Sequence, residues 1–197
     1  MKREFAALLV FALCSCHSPD RDSVPFRGFS VAPFGRDNEV TEIGAQTGDA
    51  IASPISVGDF REFTIAQGSG MAGFDAIRVF GDRTGYIVFA EEGQRKNTKV
   101  LIALTEAEVA GLLAALNEDR VDSIKGFYAA GVFDGSQGFL EIATDSGRRF
   151  SWLDNYFRPV ANTFDFCNRV IWPKVGSGRI EGTGIDRQAE YFRVFPQ

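Results

Sequence analysis

The chain has 197 residues, of which 45% are apolar and 24% charged, a composition typical of a globular protein rather than a disordered or fibrous one. Its formal net charge is −5, and removing residues 1–15, with Lys2, Arg3 and Glu4, subtracts one positive charge and leaves −6. No basic cluster is longer than two residues, as at Arg148-Arg149, whereas binding to a phosphate backbone needs clustered Lys and Arg. The sequence therefore argues against a nucleic-acid partner.

The N-terminus has the three parts of an export signal. Lys2 and Arg3 precede an unbroken apolar run, residues 5–13, whose nine residues fall well short of the ~20 that a spanning helix needs. The run ends in Leu13-Cys14-Ser15-Cys16, and polar, turn-forming residues follow at once. This pattern resembles the lipobox of bacterial lipoproteins, in which Leu and two small residues precede the Cys that receives diacylglycerol. Cys14 stands where the family more often has Ala, Ser or Thr.

The resemblance implies that residues 1–15 are a signal peptide and that Cys16 is the acylated mature N-terminus. Two or three acyl chains hold a protein stably on a membrane, whereas one binds only marginally. His17, rather than Asp, follows Cys16, which by the sorting rule of Gram-negative lipoproteins implies the outer membrane, facing the periplasm. Two alternatives remain open: an ordinary secretory signal with a soluble product, and a metal-binding pair of Cys14 and Cys16 with His17.

Residues 16–58 are rich in Pro, Gly, Ser, Asp and Arg and lack a sustained period, which is typical of a flexible tether. Residues 24–34 are too apolar for a plain spacer, because they contain Phe26, Phe29 and Phe34. Each ring contributes about 1.5–3 kcal/mol when buried, and the Pro residues favour an extended backbone that suits a groove or a sheet edge. The three rings are candidate contacts with a protein partner in the envelope. Alternatively, they cover the domain's own sheet or are only linker.

Between residues 59 and 173 the pattern predicts strands in hairpins, with a helix after each group. Alternating or β-rich segments predict the strands 60–65, 74–80, 86–90, 99–104, 139–144 and 148–153, with a further candidate at 121–130. Thr105 and Glu108 form a capping box that begins the first helix, and Asn117 closes that helix. Pro159 begins the second helix and Pro173 ends it. One face of this helix carries Val160, Phe164, Cys167 and Ile171.

This order of elements predicts an α+β domain over residues 59–173, in which an antiparallel sheet built from hairpins carries two helices packed on one face. Residues 174–197 are predicted to be a C-terminal tail, whose apolar run at 191–195 has no assignment. Residues 74–172 resemble small uncharacterised domains of bacterial envelope lipoproteins, in the order hairpin, strand, T-x-x-E helix, hairpin and helix. The resemblance covers about half of the chain and implies no activity.

The residue types limit the chemistry of the mature domain. His17 beside the anchor is the only His, which excludes catalysis by Ser-His-Asp or Cys-His sets and His-ligated zinc. If Cys16 is acylated, Cys167 is the one remaining thiol and cannot form an internal disulfide, and its helix face predicts a buried, inert side chain. Asp134 begins a segment that lacks the ligand spacing of a calcium loop. Asp154 follows a strand end, where both a helix cap and an active-site group would fit.

The sequence therefore predicts a membrane-anchored envelope lipoprotein with a non-catalytic binding or structural role. Its expected partners are the membrane, through the lipid on Cys16, and a protein of the envelope; no cofactor or metal is expected. The alternative is a His-independent hydrolase or glycan-acting enzyme that uses carboxylates such as Asp134 and Asp154. Two carboxyl groups about 5–10 Å apart in a cleft would favour this alternative.

Overall fold

The computed structural model describes residues 40–42, 47–69, 73–90, 97–130 and 136–185. In this part of the chain, ten strands form one sheet in the order β1-β7-β9-β8-β3-β4-β5-β6-β10, and β2 pairs with β9 beside that path. The strands are β1 (Val40–Glu42), β2 (Thr47–Gly48), β3 (Phe60–Ser69), β4 (Gly73–Phe80), β5 (Thr84–Ala90), β6 (Asn97–Ala103), β7 (Phe127–Ala130), β8 (Gln137–Thr144), β9 (Gly147–Asp154) and β10 (Arg179–Ile185). The helices are α1 (Glu106–Glu118) and α2 (Ala161–Phe166).

The predicted α+β class is confirmed, and the sheet is mostly antiparallel. Strands β3 to β6 form a meander, β8 and β9 form a hairpin, and β8 pairs with β3 to join the two groups. The one parallel pair in the described sheet is β7 with β9, where Phe127 lies opposite Trp152. The prediction of a sheet built only from antiparallel hairpins is therefore wrong in this one pairing. Because β8 is occupied by β3 and β9, β7 joins the free edge of β9, which runs in the same direction.

The first helix begins at the predicted capping box. The Thr105 hydroxyl accepts a hydrogen bond from the backbone N–H of Glu108 at 3.2 Å, and the Glu108 carboxylate accepts one from the backbone N–H of Thr105 at 2.7 Å. This reciprocal pair satisfies donors that the first turn of a helix leaves open. The buried side of α1 carries Val109, Leu112, Leu113, Ala115 and Leu116.

The second helical segment departs from the predicted single helix. A 3-10 turn at Arg158–Val160 leads into α2, a π-helical stretch follows at Cys167–Ile171, and a 3-10 turn covers Trp172–Gly176. Pro173 therefore lies in the first turn of the last piece rather than at the end of the helix, a position where its missing N–H does no harm. The predicted apolar face is confirmed as buried: Val160, Phe164, Cys167 and Ile171 are at most 3% exposed.

The main hydrophobic core lies between the helices and one face of the sheet. Both helices contribute to it, through residues such as Leu112 and Phe164, together with Phe63, Ile65 and Leu140 of the central strands. Side chains alternate between the two faces of a strand, so the neighbours of these residues point away from the helices. A second, smaller cluster on that opposite side contains Ala66, Phe74 and Phe139. We call this side of the sheet the helix-free face.

The packed region extends beyond residues 59–173 at both ends. Thr47 and Gly48 pair with β9, and Ile51 and Ile55, which are 8% and 3% exposed, belong to the main core. The Asn117 side chain holds the backbone of Ile55, accepting from its N–H at 2.8 Å and donating to its carbonyl at 3.0 Å. At the other end, β10 pairs with β6. Isolated apolar residues and short strands carry no period, so these segments look like tether and tail in the sequence.

The predicted strand at 121–130 is shorter than expected. Val121–Ser123 form a 3-10 turn, and the strand covers only Phe127–Ala130. Val121 and Ile124 are nevertheless buried in the main core. The apolar residues that suggested a strand here are therefore buried by a turn that follows α1.

Candidate functional site

The site residues predicted for anchoring and partner contact, Cys16, Phe26, Phe29 and Phe34, lie outside the described residues. Asp134 lies outside them as well, so the described residues do not define its distance from Asp154. None of the described helices is long and apolar enough to cross a membrane. No group of three or more His, Cys, Asp or Glu residues in the described ranges is placed to hold a metal ion.

Cys167 is fully buried, as the sequence predicts. Burial raises the pKa of its thiol far above the ordinary range, and the negative charge of Asp119 acts in the same direction. Because the thiolate is the reactive form, a thiol held protonated and out of solvent is a poor nucleophile and a poor metal ligand. Cys167 therefore has a structural role in the main hydrophobic core.

Asp154 ends β9 and is half-buried. Its carboxylate accepts a hydrogen bond from the side-chain amide of Asn155 at 3.0 Å, and burial raises its pKa. Asn155 has a left-handed backbone conformation with φ of 56°, which turns the chain away from the sheet and toward α2. Asp154 thus has one property of a general acid, a raised pKa, at the end of a strand that β7 and β8 flank.

A groove of about 410 Å³ opens where β6 and β10 meet the last 3-10 turn. It is lined by Leu101, Ile102, Ala103, Lys174, Ser177, Gly178 and Arg179. The Lys174 ammonium lies 2.8 Å from Glu108, whereas the exposed Arg179 side chain forms no ion pair with any described residue. A Cβ on Gly178 would lie 2.3 Å from a methyl carbon of Val100, so only Gly allows this close approach. The groove is not predictable from the sequence, because Gly176 and Gly178 indicate only a turn.

The helix-free face carries paired charges across its strands. Arg78 forms an ion pair with Glu62, Arg148 forms one with Glu141, and Lys99 lies 2.8 Å from Glu181. The Lys99 ammonium also lies 4.3 Å from the centre of the Tyr86 ring, a cation–π contact. These pairs occupy neighbouring strands, so the sequence alone does not bring them together. Since each cation already has a counter-ion, this part of the face is suited to stability more than to capture of a charged ligand.

An aromatic cluster occupies the rest of the helix-free face. The Phe74 ring lies 6.0 Å from Trp152 in an edge-on contact and 6.5 Å from Phe139, and the Phe139 ring lies 6.3 Å from Phe150. Phe74 and Phe139 are only 7% and 2% exposed, although the described helices lie on the other side of the sheet. These four rings, which we call the aromatic cluster, pack together with Ala66 on this face.

Arg149 is an exception to the pattern of paired charges. It lies on β9 and is 3% exposed, and its Nε and Nη1 atoms have no hydrogen-bond partner among the described residues. The hydroxyl of Ser151, two residues along the strand, is also buried and has no partner in the same part of the chain. Buried guanidinium nitrogens without hydrogen-bond partners cost folding free energy, because their lost hydration is not replaced.

No protein family and no curated protein matches this chain.

Proposed function

We propose that the chain is a membrane-anchored lipoprotein of the cell envelope whose domain has a non-catalytic binding role. The observation that carries the proposal is Leu13-Cys14-Ser15-Cys16 at the end of a short apolar run behind two basic residues. In this proposal Cys16 carries the lipid in the outer membrane of a Gram-negative host, and the domain faces the periplasm. The two helices pack on one face of the sheet, and the groove lies at the edge that β6 and β10 form.

The chemistry of the described residues supports binding rather than catalysis. The one described thiol is buried with a raised pKa, and the chain's only His is His17, next to the anchor. The charged side chains of the helix-free face are largely committed to one another. The domain would therefore act as a stable recognition module tethered to a membrane.

The groove where the paired strands β6 and β10 meet the last 3-10 turn is the proposed contact with a protein partner in the envelope. Arg179 offers an exposed guanidinium at its rim, and Ile180 beside it is 61% exposed. An arginine fork binds carboxylates in a bidentate manner, and an adjacent apolar side chain adds burial. This pairing fits an acidic segment with apolar residues on the partner.

Membrane fractionation of a Cys16→Ser variant tests the anchor. The variant should leave the membrane fraction or accumulate unprocessed, because Ser lacks the thiol that receives diacylglycerol. Cys14→Ser is the matched control and should remain processed and in the outer membrane, since Ser is a common residue at that position of the lipobox. A processed Cys16→Ser protein that still fractionates with membranes would contradict the proposal.

Affinity capture from native membranes tests the groove. Arg179→Glu should lose co-purifying envelope proteins that the wild-type domain retains, because it places a like charge against an acidic segment. Arg169→Glu is the control: it makes the same charge change at a side chain that is 69% exposed and pairs only with Asp165 four residues away. Equal capture by all three proteins would remove the groove from the proposal.

A second candidate function is a His-independent hydrolase or glycan-acting enzyme. The observation in its favour is the raised pKa of the half-buried Asp154, a property that general acids need at neutral pH. Turnover of glycan or ester substrates that is abolished in Asp154→Asn and retained in Asp165→Asn would support it. Equal activity of the wild type and Asp154→Asn would exclude a role for this carboxylate.

A further inference from the structure

The chain enters the sheet at the end that carries the aromatic cluster. The register of neighbouring strands places Thr41, Ala129, Asp154, Gln137, Gly68 and Phe74 in one row across six strands. Val40, the first residue of β1, is one position beyond this row. The chain therefore enters β1 at the same end of the sheet at which Phe74, the second residue of β4, lies.

The distances fit the length of the preceding chain. Adjacent strands lie about 4.8 Å apart, so β9 with Trp152 is about 10 Å from β1 and β4 with Phe74 is about 24 Å from it. Phe34 precedes Val40 by six residues and can reach about 20 Å, and Phe29 precedes it by eleven residues and can reach about 37 Å. An extended segment from Phe34 back to Phe26 is thus long enough to cross the cluster.

The chemistry of the two surfaces also agrees. Phe74 and Phe139 are buried on a side of the sheet where the described helices do not lie, and Ala66 between them is fully buried. Residues 24–34 supply three aromatic rings, and Pro25 and Pro33 favour an extended backbone. Aromatic rings pack favourably edge to face on other rings, in addition to the area they bury.

We propose that residues 24–34 form an intramolecular strap that packs on the aromatic cluster of the helix-free face, with Phe26, Phe29 and Phe34 as its anchors. The strap sets how far the domain stands from the membrane. With the strap docked, only residues 16–23 link the lipid to the domain, and they extend to about 28 Å at most. With the strap released, residues 16–39 extend to about 80 Å. The packing of the strap is argued from strand register and does not depend on acylation of Cys16, whereas its effect on the distance from the membrane rests on the proposed lipid anchor.

Acrylamide quenching of Trp152 in the full mature chain, in a Trp172→Phe background, tests the strap. Replacing Phe26, Phe29 and Phe34 together by Ser should increase the quenching constant severalfold, because Trp152 loses its cover. The control replaces Asp20, Arg21 and Asp22 by Ser in the same tether and should leave quenching unchanged. An unchanged constant in the triple Phe variant would overturn the proposal. A constant that rises severalfold on dilution of the wild type would assign the cover to a second copy and overturn it as well.

Hydroxyl-radical footprinting of the wild-type chain gives the same answer without any substitution. The three Phe rings should be labelled severalfold more slowly in the native protein than in urea, whereas equal rates would overturn the strap. Cys16→Ser should alter membrane fractionation and leave this protection intact. Failure of the anchor and failure of the strap therefore give different results.

Discussion

Asp119 and Thr163 join the end of α1 to the start of α2. One carboxylate oxygen of Asp119 accepts hydrogen bonds from the backbone N–H of Thr163 at 2.8 Å and from its hydroxyl at 2.6 Å. The other oxygen accepts from the backbone and side-chain N–H groups of Asn162 at 3.1 and 2.9 Å. Asp119 is also the C-cap of α1, so one side chain fixes the relative position of two helices on the core.

Asp119→Ala should lower the free energy of unfolding by about 2–4 kcal/mol, because it leaves the fully buried Thr163 hydroxyl and two N–H groups without acceptors. Urea denaturation followed by circular dichroism measures the change. Asp165→Ala is the control on the same helix, since its exposed ion pair with Arg169 is worth at most about 1 kcal/mol. Equal effects of the two substitutions would show that the Asp119 bonds do not join the helices.

The same carboxylate predicts a pH dependence. Burial raises the pKa of Asp119, and the hydrogen bonds from Thr163 and Asn162 oppose that effect only in part. A raised pKa favours the folded state most below the ordinary Asp pKa of about 3.9, and that advantage is lost as pH rises through the folded-state value. The stability of the wild type relative to Asp119→Asn should therefore fall between about pH 3 and pH 7. If the wild type instead gained stability relative to Asp119→Asn over this range, the pKa of Asp119 would be lowered in the folded state, which would contradict the prediction.

Local features of the fold are predictable from the sequence. One confirmed feature is the capping box of Thr105 and Glu108, which lies within one helical turn. Another is the buried face of Val160, Phe164 and Cys167, whose residues lie within about three turns. Both are predictable because they depend only on residues close together in the sequence. The parallel pairing of β7 with β9 and the addition of β10 to β6 are not predictable in this way. They depend on which strand edges remain free once the rest of the sheet has formed.

The candidate sites show the same division. The anchor at Cys16 can be proposed from a short motif, whereas the groove joins Leu101 to Arg179 through a pairing of distant strands. The bond between Asp119 and Thr163 spans 44 residues. No periodicity or spacing in the sequence predicts a contact between residues so far apart in the chain. Such contacts can be identified only from the folded structure.

Arg149→Met should stabilise the domain by about 1–3 kcal/mol, because it replaces a buried guanidinium, whose Nε and Nη1 have no partner among the described residues, with an apolar side chain of similar length. Thermal unfolding measures the effect. The neighbouring Arg148→Met is the control: its side chain is 52% exposed and pairs with Glu141, so its removal should be neutral or destabilise by about 1 kcal/mol. Destabilisation by Arg149→Met would show that the Arg149 guanidinium has a stabilising partner within the folded protein, which would contradict the prediction.

Gly138→Ala should destabilise the domain by about 1–3 kcal/mol, because an added methyl group would lie 2.5 Å from the Phe157 ring and 2.7 Å from the carbonyl oxygen of Ala66. Gly176→Ala has no atom within 4 Å of the new methyl group and should change stability by less than about 0.5 kcal/mol or stabilise slightly. Chemical denaturation of both variants measures the difference. Equal stabilities would contradict the packing of β8 against β3 and Phe157.

Mass spectrometry of the mature protein, purified from its own membranes, determines whether Cys16 is the lipidated N-terminus. We expect an N-terminal peptide that begins at Cys16 and carries the added mass of diacylglycerol, with or without a further acyl chain on its amine. A peptide that retains residues 1–15, begins after Cys16, or begins at Cys16 without lipid would contradict the assignment as a lipid-anchored envelope protein.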